Sequence, residues 1–243
     1  MTESPLLFEK ADNGVAWLTL NRPAVLNAMN MAVRDEMWSA LSAIADDPDI
    51  RAVVIRGAGD RAFSAGADIG EFGTAPSYID ARRARQERDV WGAMLACTKP
   101  IVAAIHGFAF GAGCEMSLFC DIRIASDDAT FALPEVTLGY IPSAGGTQTL
   151  SRAIPPGVAR QMILTGQPID AATALRYSLV QRVVPRTQLH DAAASVAARL
   201  AAQPESALRG VKEAMTRGAG LPLESALHLE SMIHARVGAG PTV

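Results

Sequence analysis

An apolar run, Ile101-Val102-Ala103-Ala104-Ile105, feeds a turn of small residues, Gly107-Phe108-Ala109-Phe110-Gly111-Ala112-Gly113, which opens a helical segment at Cys114-Glu115. A strand entering a tight turn at a helix start leaves backbone N–H groups unpaired. The helix dipole adds partial positive charge at that end. Gly and Ala leave room for a ligand oxygen to reach the backbone. A second turn of this kind, Arg61-Ala62-Phe63-Ser64-Ala65-Gly66-Ala67-Asp68-Ile69, follows the β-branched run Ala52-Val53-Val54-Ile55. Strands joined by helical crossovers pair in parallel, which puts the chain in the α/β class.

The remaining elements fit that class. Leu6–Lys10 and Val15–Leu20 flank the turn Asp12-Asn13-Gly14 and read as a hairpin. Asn30 caps an expected helix whose apolar residues Val33, Met37, Leu41 and Ile44 recur at helical spacing. Residues from about 80 to 97 read as helix, 121–125 as strand, and Ala144-Gly145-Gly146-Thr147 as a further helix start. Asp170 caps a helix through Tyr177, and 180–184 is a last short strand. Three amphipathic helices are expected over 187–203, 205–217 and 222–236, with the end after Arg236 loose and shortened. Two regions follow: a core over 1–186 and a helical C-terminal region over 187–243.

Two carboxylates, Glu115 and Glu135, follow the 107–113 turn. Anion-stabilising N–H groups beside two acids suit acid–base chemistry next to a carbonyl. On these residues alone an equal alternative stands: a turn made for close packing, with two solvated acids. Gly111-Ala112-Gly113 lacks the dinucleotide-binding pattern, and no phosphate-loop Gly-Lys-Ser/Thr follows. Ser64 and Ser143 lack the Gly-x-Ser-x-Gly setting of a hydrolase nucleophile. Net charge is −3, which argues against nucleic acid as a partner. The cysteines Cys97, Cys114 and Cys120 show no metal-ligand spacing and read as buried thiols in a reducing compartment, the cytoplasm. With no apolar run of about 18 residues, no membrane span is expected.

At Ala65-Gly66-Ala67-Asp68-Ile69 and Gly111-Ala112-Gly113-Cys114-Glu115 the chain resembles the crotonase, or enoyl-CoA hydratase/isomerase, family. Further motifs in the same order carry the resemblance: Leu20-Asn21-Arg22-Pro23, Leu26-Asn27-Ala28-Met29, Pro134-Glu135, Leu138-Gly139-Tyr140-Ile141-Pro142-Ser143-Ala144-Gly145-Gly146-Thr147-Gln148 and Leu164-Thr165-Gly166. The resemblance implies a crotonase-like spiral of ββα turns whose helical C-terminal region builds homotrimers or homohexamers. It implies an acyl-CoA thioester as substrate, with coenzyme A part of that substrate and no cofactor or metal besides. The thioester oxygen is then held by the N–H groups of Ala67 and Ala112. Glu115 and Glu135 match the two acids of the hydratases. Val25, Ala65, Asp68 and Ile69 match the coenzyme A loop, and Gly111, Pro134 and Ser143 complete the substrate-binding set. The implied reaction is hydration of a trans-2-enoyl thioester to a 3-hydroxyacyl thioester. A double-bond isomerase, a 3-hydroxyacyl thioester hydrolase and a weakly active acyl-CoA binder are the alternatives.

Four departures stand out. Ala112 replaces a usual Gly but keeps the donor, and Ser143 replaces Gly near the attacking water. Ala24 removes a frequent Lys, and Leu133 is expected to raise the pKa of Glu135 by excluding water. His106 reads as a structural histidine, and His190, His228 and His234 as surface or subunit-contact residues. Cys114 reads as a core thiol and Asp121 as structural. Phe72, Tyr78 and Trp91 are candidates for the acyl pocket or the core, and Arg82, Arg83, Arg85 and Arg88 for a solvated face.

Overall fold

The computed structural model describes residues 4–71, 77, 79 and 87–238. Phe72, Tyr78, Arg82, Arg83 and Arg85, and the first part of the helix expected from about residue 80, lie outside the described residues.

The hairpin forms as the turn chemistry requires. Strands β1 (Leu6–Lys10) and β2 (Val15–Leu20) pair antiparallel, and the Asn13 side chain accepts from the Val15 N–H at 3.2 Å. Helix α1 (Met31–Asp46) starts where Asn30 Oδ1 accepts from the Val33 N–H at 3.0 Å, and it buries Val33, Met37, Leu41 and Ile44. Strands β3 (Ala52–Gly57), β5 (Ile101–Ile105), β7 (Ile122–Ser126) and β10 (Arg182–Val184) extend β2 in parallel, giving the order β1-β2-β3-β5-β7-β10.

A second, smaller sheet holds the short strands β4 (Ala62–Ser64), β6 (Phe108–Phe110), β8 (Thr130–Ala132) and β9 (Ile169–Asp170), in that order. The sequence pattern did not separate these strands from turns. At two or three residues each they are too short to show a period. The chain alternates between the sheets, so β3 leads to β4, β5 to β6 and β7 to β8. After β6 comes α3 (Ala112–Leu118), and α2 (Val90–Ala96) precedes β5.

The large sheet is buried on both faces, as parallel sheets are. Leu18, Val53, Ile55, Ile101, Ala103 and Ile105 point into one cluster with α1, α2 and α3. Val15, Val54, Val102 and Ile124 point the other way, where α7 (Leu189–Ala201) covers them with Leu189, Ala193, Val196 and Ala197. Beyond β8 run α4 (Gly146–Ala153), α5 (Pro156–Thr165) and α6 (Ala171–Arg176), the last capped by Asp170. Helices α8 (Glu205–Gly218) and α9 (Leu223–Gly238) close the chain and pack on each other. Lys212 of α8 donates to the Lys99 carbonyl at 2.8 Å and to Asp121 at 2.7 Å, anchoring that pair to the body. Among the described residues no helix is long and apolar enough to cross a membrane.

Candidate active site

The small sheet sets the site. Strands β4, β6 and β8 are parallel neighbours, so their C-terminal ends open along one edge. Ala67 follows β4, Ala112 follows β6 and Glu135 follows β8, each within two or three residues. Ligands of parallel sheets gather at the carboxyl ends of the strands.

In the first turn, neighbouring N–H groups are used internally. Ala65 donates to the Leu26 carbonyl, Gly66 to the Ser64 hydroxyl and Asp68 to the Met29 carbonyl, at 2.9, 3.2 and 3.0 Å. The N–H of Ala67 has no acceptor among the described residues, and Ala67 is exposed. The second turn repeats the pattern. Gly111 donates to the Ala132 carbonyl at 2.9 Å, whereas Ala112, the first residue of α3, has no acceptor among the described residues. The turns touch: a Cβ on Gly66 would lie 2.8 Å from the Phe110 carbonyl oxygen and 3.3 Å from the Ala112 nitrogen. Two free amide donors therefore stand on adjacent turns.

Glu115 lies in the first turn of α3 and is 2% exposed. Its Oε1 accepts from the N–H of Ala144 at 2.9 Å and of Gly146 at 2.7 Å. Burial pushes its pKa up to about 7; the neighbouring Glu135 charge adds to this, and the two N–H donors oppose it. Sequence reasoning missed these two donors. The Gly145-Gly146 helix start was their signal, because such a start offers N–H groups to an anion.

Glu135 sits in the single helical turn Pro134–Leu138, where Pro134 fixes the backbone after β8. Its Oε2 is buried with no hydrogen-bond partner among the described residues, and burial raises its pKa. Leu133 is fully buried, and its Cδ1 packs at Gly146 beside the Glu115 carboxylate. The water exclusion expected from Leu133 at Glu135 thus reaches Glu115 as well.

The other candidates distribute around this edge. Ile69 and Val25 are exposed, and Ala65, Asp68 and Pro134 are half-buried. The Asp68 carboxylate is held by Arg22 at 2.8 Å and accepts from the Gly70 N–H at 3.1 Å, and the Arg22 guanidinium lowers its pKa. Arg22 also donates to the Ala28 carbonyl at 2.7 Å, tying the 22–28 loop to the Ala67 turn. Ser143 is exposed next to Ala144.

Residues outside the site behave as structural groups. Cys114 is fully buried and burial drives its thiol pKa far upward. Ser64 donates to the Asn27 carbonyl at 2.9 Å, and Asp121 accepts from the Ile101 N–H at 2.7 Å. His106 is buried, and desolvation lowers its pKa to about 4. His190 stacks on Trp17 at 4.7 Å, while His228 and His234 are exposed. Arg88 pairs with Asp35 at 2.7 Å. Among the described residues no three His, Cys, Asp or Glu side chains gather as a metal ion would require.

The sequence model of the enoyl-CoA hydratase/isomerase family matches residues 10–240. A probable enoyl-CoA hydratase of Mycobacterium tuberculosis is 44% identical over 217 residues, covering 89% of this chain and 83% of the relative. The short-chain-enoyl-CoA hydratase of Clostridium acetobutylicum is 39% identical over 226 residues, covering 93% and 86%. A solved enoyl-CoA hydratase structure from Bacillus anthracis superposes with a TM-score of 0.91 at 36% identity, over 97% of this chain and 91% of that one.

Proposed function

The chain belongs to the enoyl-CoA hydratase/isomerase family, and from that premise we propose that it hydrates trans-2-enoyl-CoA to 3-hydroxyacyl-CoA with Glu115 and Glu135 as its two acids. One observation carries the assignment of roles. The buried Glu115 carboxylate, the half-buried Glu135 with its buried Oε2, and two N–H groups without an acceptor among the described residues meet along one row of strand ends. Relatives named as hydratases support the reaction class.

The N–H groups of Ala67 and Ala112 receive the thioester oxygen. Drawing charge onto that oxygen makes the β-carbon electrophilic, and preorganised amides stabilise the enolate without rearranging. Glu115 acts as the base. Its Oε1 is taken by Ala144 and Gly146, so Oε2 remains to hold the water. Water oxygen bonds to the β-carbon as its proton passes to Glu115, and the π electrons move onto the thioester oxygen. Glu135 then gives its proton to the α-carbon as the enolate collapses. The two N–H donors favour the anion at Glu115 and oppose the burial that raises its pKa to about 7, and burial also raises the pKa of Glu135, whose Oε2 accepts nothing among the described residues. The net change is one water added, and exchange with solvent resets the two carboxyls.

Substrate approach uses the small residues Ala65 and Gly111, the exposed Val25 and Ile69 and the half-buried Asp68, with Pro134 and Ser143 at the acyl side. The reading needs no metal or redox cofactor, since the thioester and the two acids supply the chemistry. The same reading makes the assembly a homotrimer or homohexamer through α8 and α9, which expose Val211, Met215, Leu223, Leu227 and Met232. It places the enzyme in the cytoplasm, where buried free thiols such as Cys97, Cys114 and Cys120 persist.

The test is turnover of short trans-2-enoyl-CoA in water, followed by loss of the conjugated absorbance and by a product heavier by one water. Migration of the double bond with no mass gain would replace hydratase by isomerase. Release of free coenzyme A would replace it by hydrolase.

A further inference from the structure

We infer that Phe119 is a positioning residue for Glu115: its ring holds the 144–146 loop whose two N–H groups grip the Glu115 carboxylate. This rests on the reading of Glu115 as an acid of the hydration site.

Helix α3 carries both residues. Phe119 caps its C-terminus in helical conformation, four residues after Glu115, so the two side chains leave the same side of the helix. Gly145 lies between the donors Ala144 and Gly146 and takes φ +102°, a conformation open to glycine. The Phe119 ring rests against it. A Cβ on Gly145 would lie 3.1 Å from Phe119 Cζ and 3.4 Å from Cε2. Trp91 of α2 backs the ring, stacked at 5.8 Å between centroids and 27° between planes. Both rings pack against the main core cluster, so the place of the buttress is itself fixed.

The chain of contact runs from Trp91 to Phe119, to Gly145, to the N–H groups on either side, and so to Glu115. Among the described residues nothing else near the carboxylate replaces those donors. Glu135 brings a like charge, Leu133 an apolar methyl, and Cys114 a thiol kept neutral by burial. Holding the two N–H groups within 3 Å is therefore what keeps a buried Glu115 available as an anion.

The experiment compares wild type, Phe119→Leu, Phe119→Tyr, Gly145→Ala and the Phe119→Leu/Gly145→Ala double variant. The first readout needs no turnover: the titration midpoint of Glu115 by carboxyl carbon-13 resonances of Glu-labelled protein, with Glu115→Gln identifying the signal. Phe119→Leu withdraws the buttress, and Phe119→Tyr drives a hydroxyl into Gly145. Both should raise the midpoint by roughly half a unit or more, because loosened N–H groups no longer favour the anion. The acidic limb of kcat/KM for hydration should move the same way, with kcat down about tenfold and KM nearly unchanged. Gly145→Ala should cost less on the Phe119→Leu background than in wild type, because the ring it strikes is gone. If Phe119→Leu does not fold, Phe119→Tyr supplies the midpoint from the ring side. An unmoved midpoint in the folded variants, or additive effects in the double variant, would overturn the inference. If wild type hydrates nothing but the midpoint still moves, the hydratase reading falls and the positioning role stands.

Discussion

Gly111 leaves no room beside the Glu135 carboxylate: a Cβ on Gly111 would lie 3.0 Å from Glu135 Oε1. Gly111 also holds φ +50° and ψ −126°, which L side chains rarely adopt. One glycine thus sets both the Ala112 donor and the place of the second acid. Gly111→Ala should lower hydration by up to about a hundredfold, since the added Cβ strains the turn and pushes the Glu135 carboxylate aside. Steady-state rates, with circular dichroism to check folding, decide this. Wild-type turnover in a folded Gly111→Ala would remove the link.

Ala112 is the first residue of α3, where proline is tolerated because its N–H would lack an intrahelical partner anyway. Ala112→Pro therefore deletes one donor at a position where a helix accepts proline, with folding checked because the ring also meets the Gly66 turn. It should reduce kcat on the order of a hundredfold or more. Ala112→Val, which keeps the donor and crowds the thioester, serves as the steric control. A folded Ala112→Pro with full activity would take Ala112 out of the oxyanion role.

Replacing either acid by glutamine keeps its volume and removes proton transfer. Each of Glu115→Gln and Glu135→Gln should lower hydration about a hundred- to ten-thousandfold. The double change should cost far less than the product, because the pair acts as a unit. Deuterium entry at the α-carbon in heavy water reports the Glu135 step separately. Near-normal hydration by Glu115→Gln would defeat the proposed division of roles.

Much of this was legible in the residues. The hairpin, the Asn30 and Asp170 caps and the apolar stripe of α1 follow from local rules, because capping and periodicity act within a few residues. The motif turns at Ala67 and Ala112 were legible as small-residue turns after strands, although the residues alone left close packing as an equal use for them. The second sheet was not. Its strands gain their pairing from residues 22 to 46 positions away, and strands of two or three residues carry no period. The grip of Ala144 and Gly146 on Glu115 was hidden for the same reason: the contact spans 29 and 31 residues. Asp68 was expected only as part of the coenzyme A loop, but its carboxylate is engaged with Arg22, 46 residues away.

The proposed assembly rests on α8 and α9, whose close approach Gly210 permits: a Cβ there would lie 2.7 Å from Val237. Met215 and Leu223 are 71% and 75% exposed in the single chain. Exposed apolar side chains on one helical pair mark an interaction surface. Light scattering should give a trimer or hexamer at micromolar concentration, and Met215→Glu with Leu223→Glu should shift the mass toward the monomer. A monomeric wild type would end this proposal.

Glu115 also ties activity against stability. Its folded-state pKa, raised by burial to about 7, exceeds its value in the unfolded chain. The folded state then holds the proton more tightly. The stability this contributes is full below the unfolded pKa and is lost as pH rises through about 7. In the proposed mechanism catalysis runs the other way, because Glu115 is ionised when it takes the proton of water. Hydration should fall as pH drops below about 7, while the fold gains stability over the same interval. Glu115→Gln cannot ionise and keeps an Oε1 acceptor for Ala144 and Gly146. Its melting temperature relative to wild type should therefore be higher at pH 8 than at pH 5 by a few degrees. Glu135 is present in both proteins, and its coupling to the Glu115 charge is part of the difference measured. Calorimetry at the two pH values measures it, and an unchanged difference between them would mean that Glu115 titrates as an ordinary carboxylate.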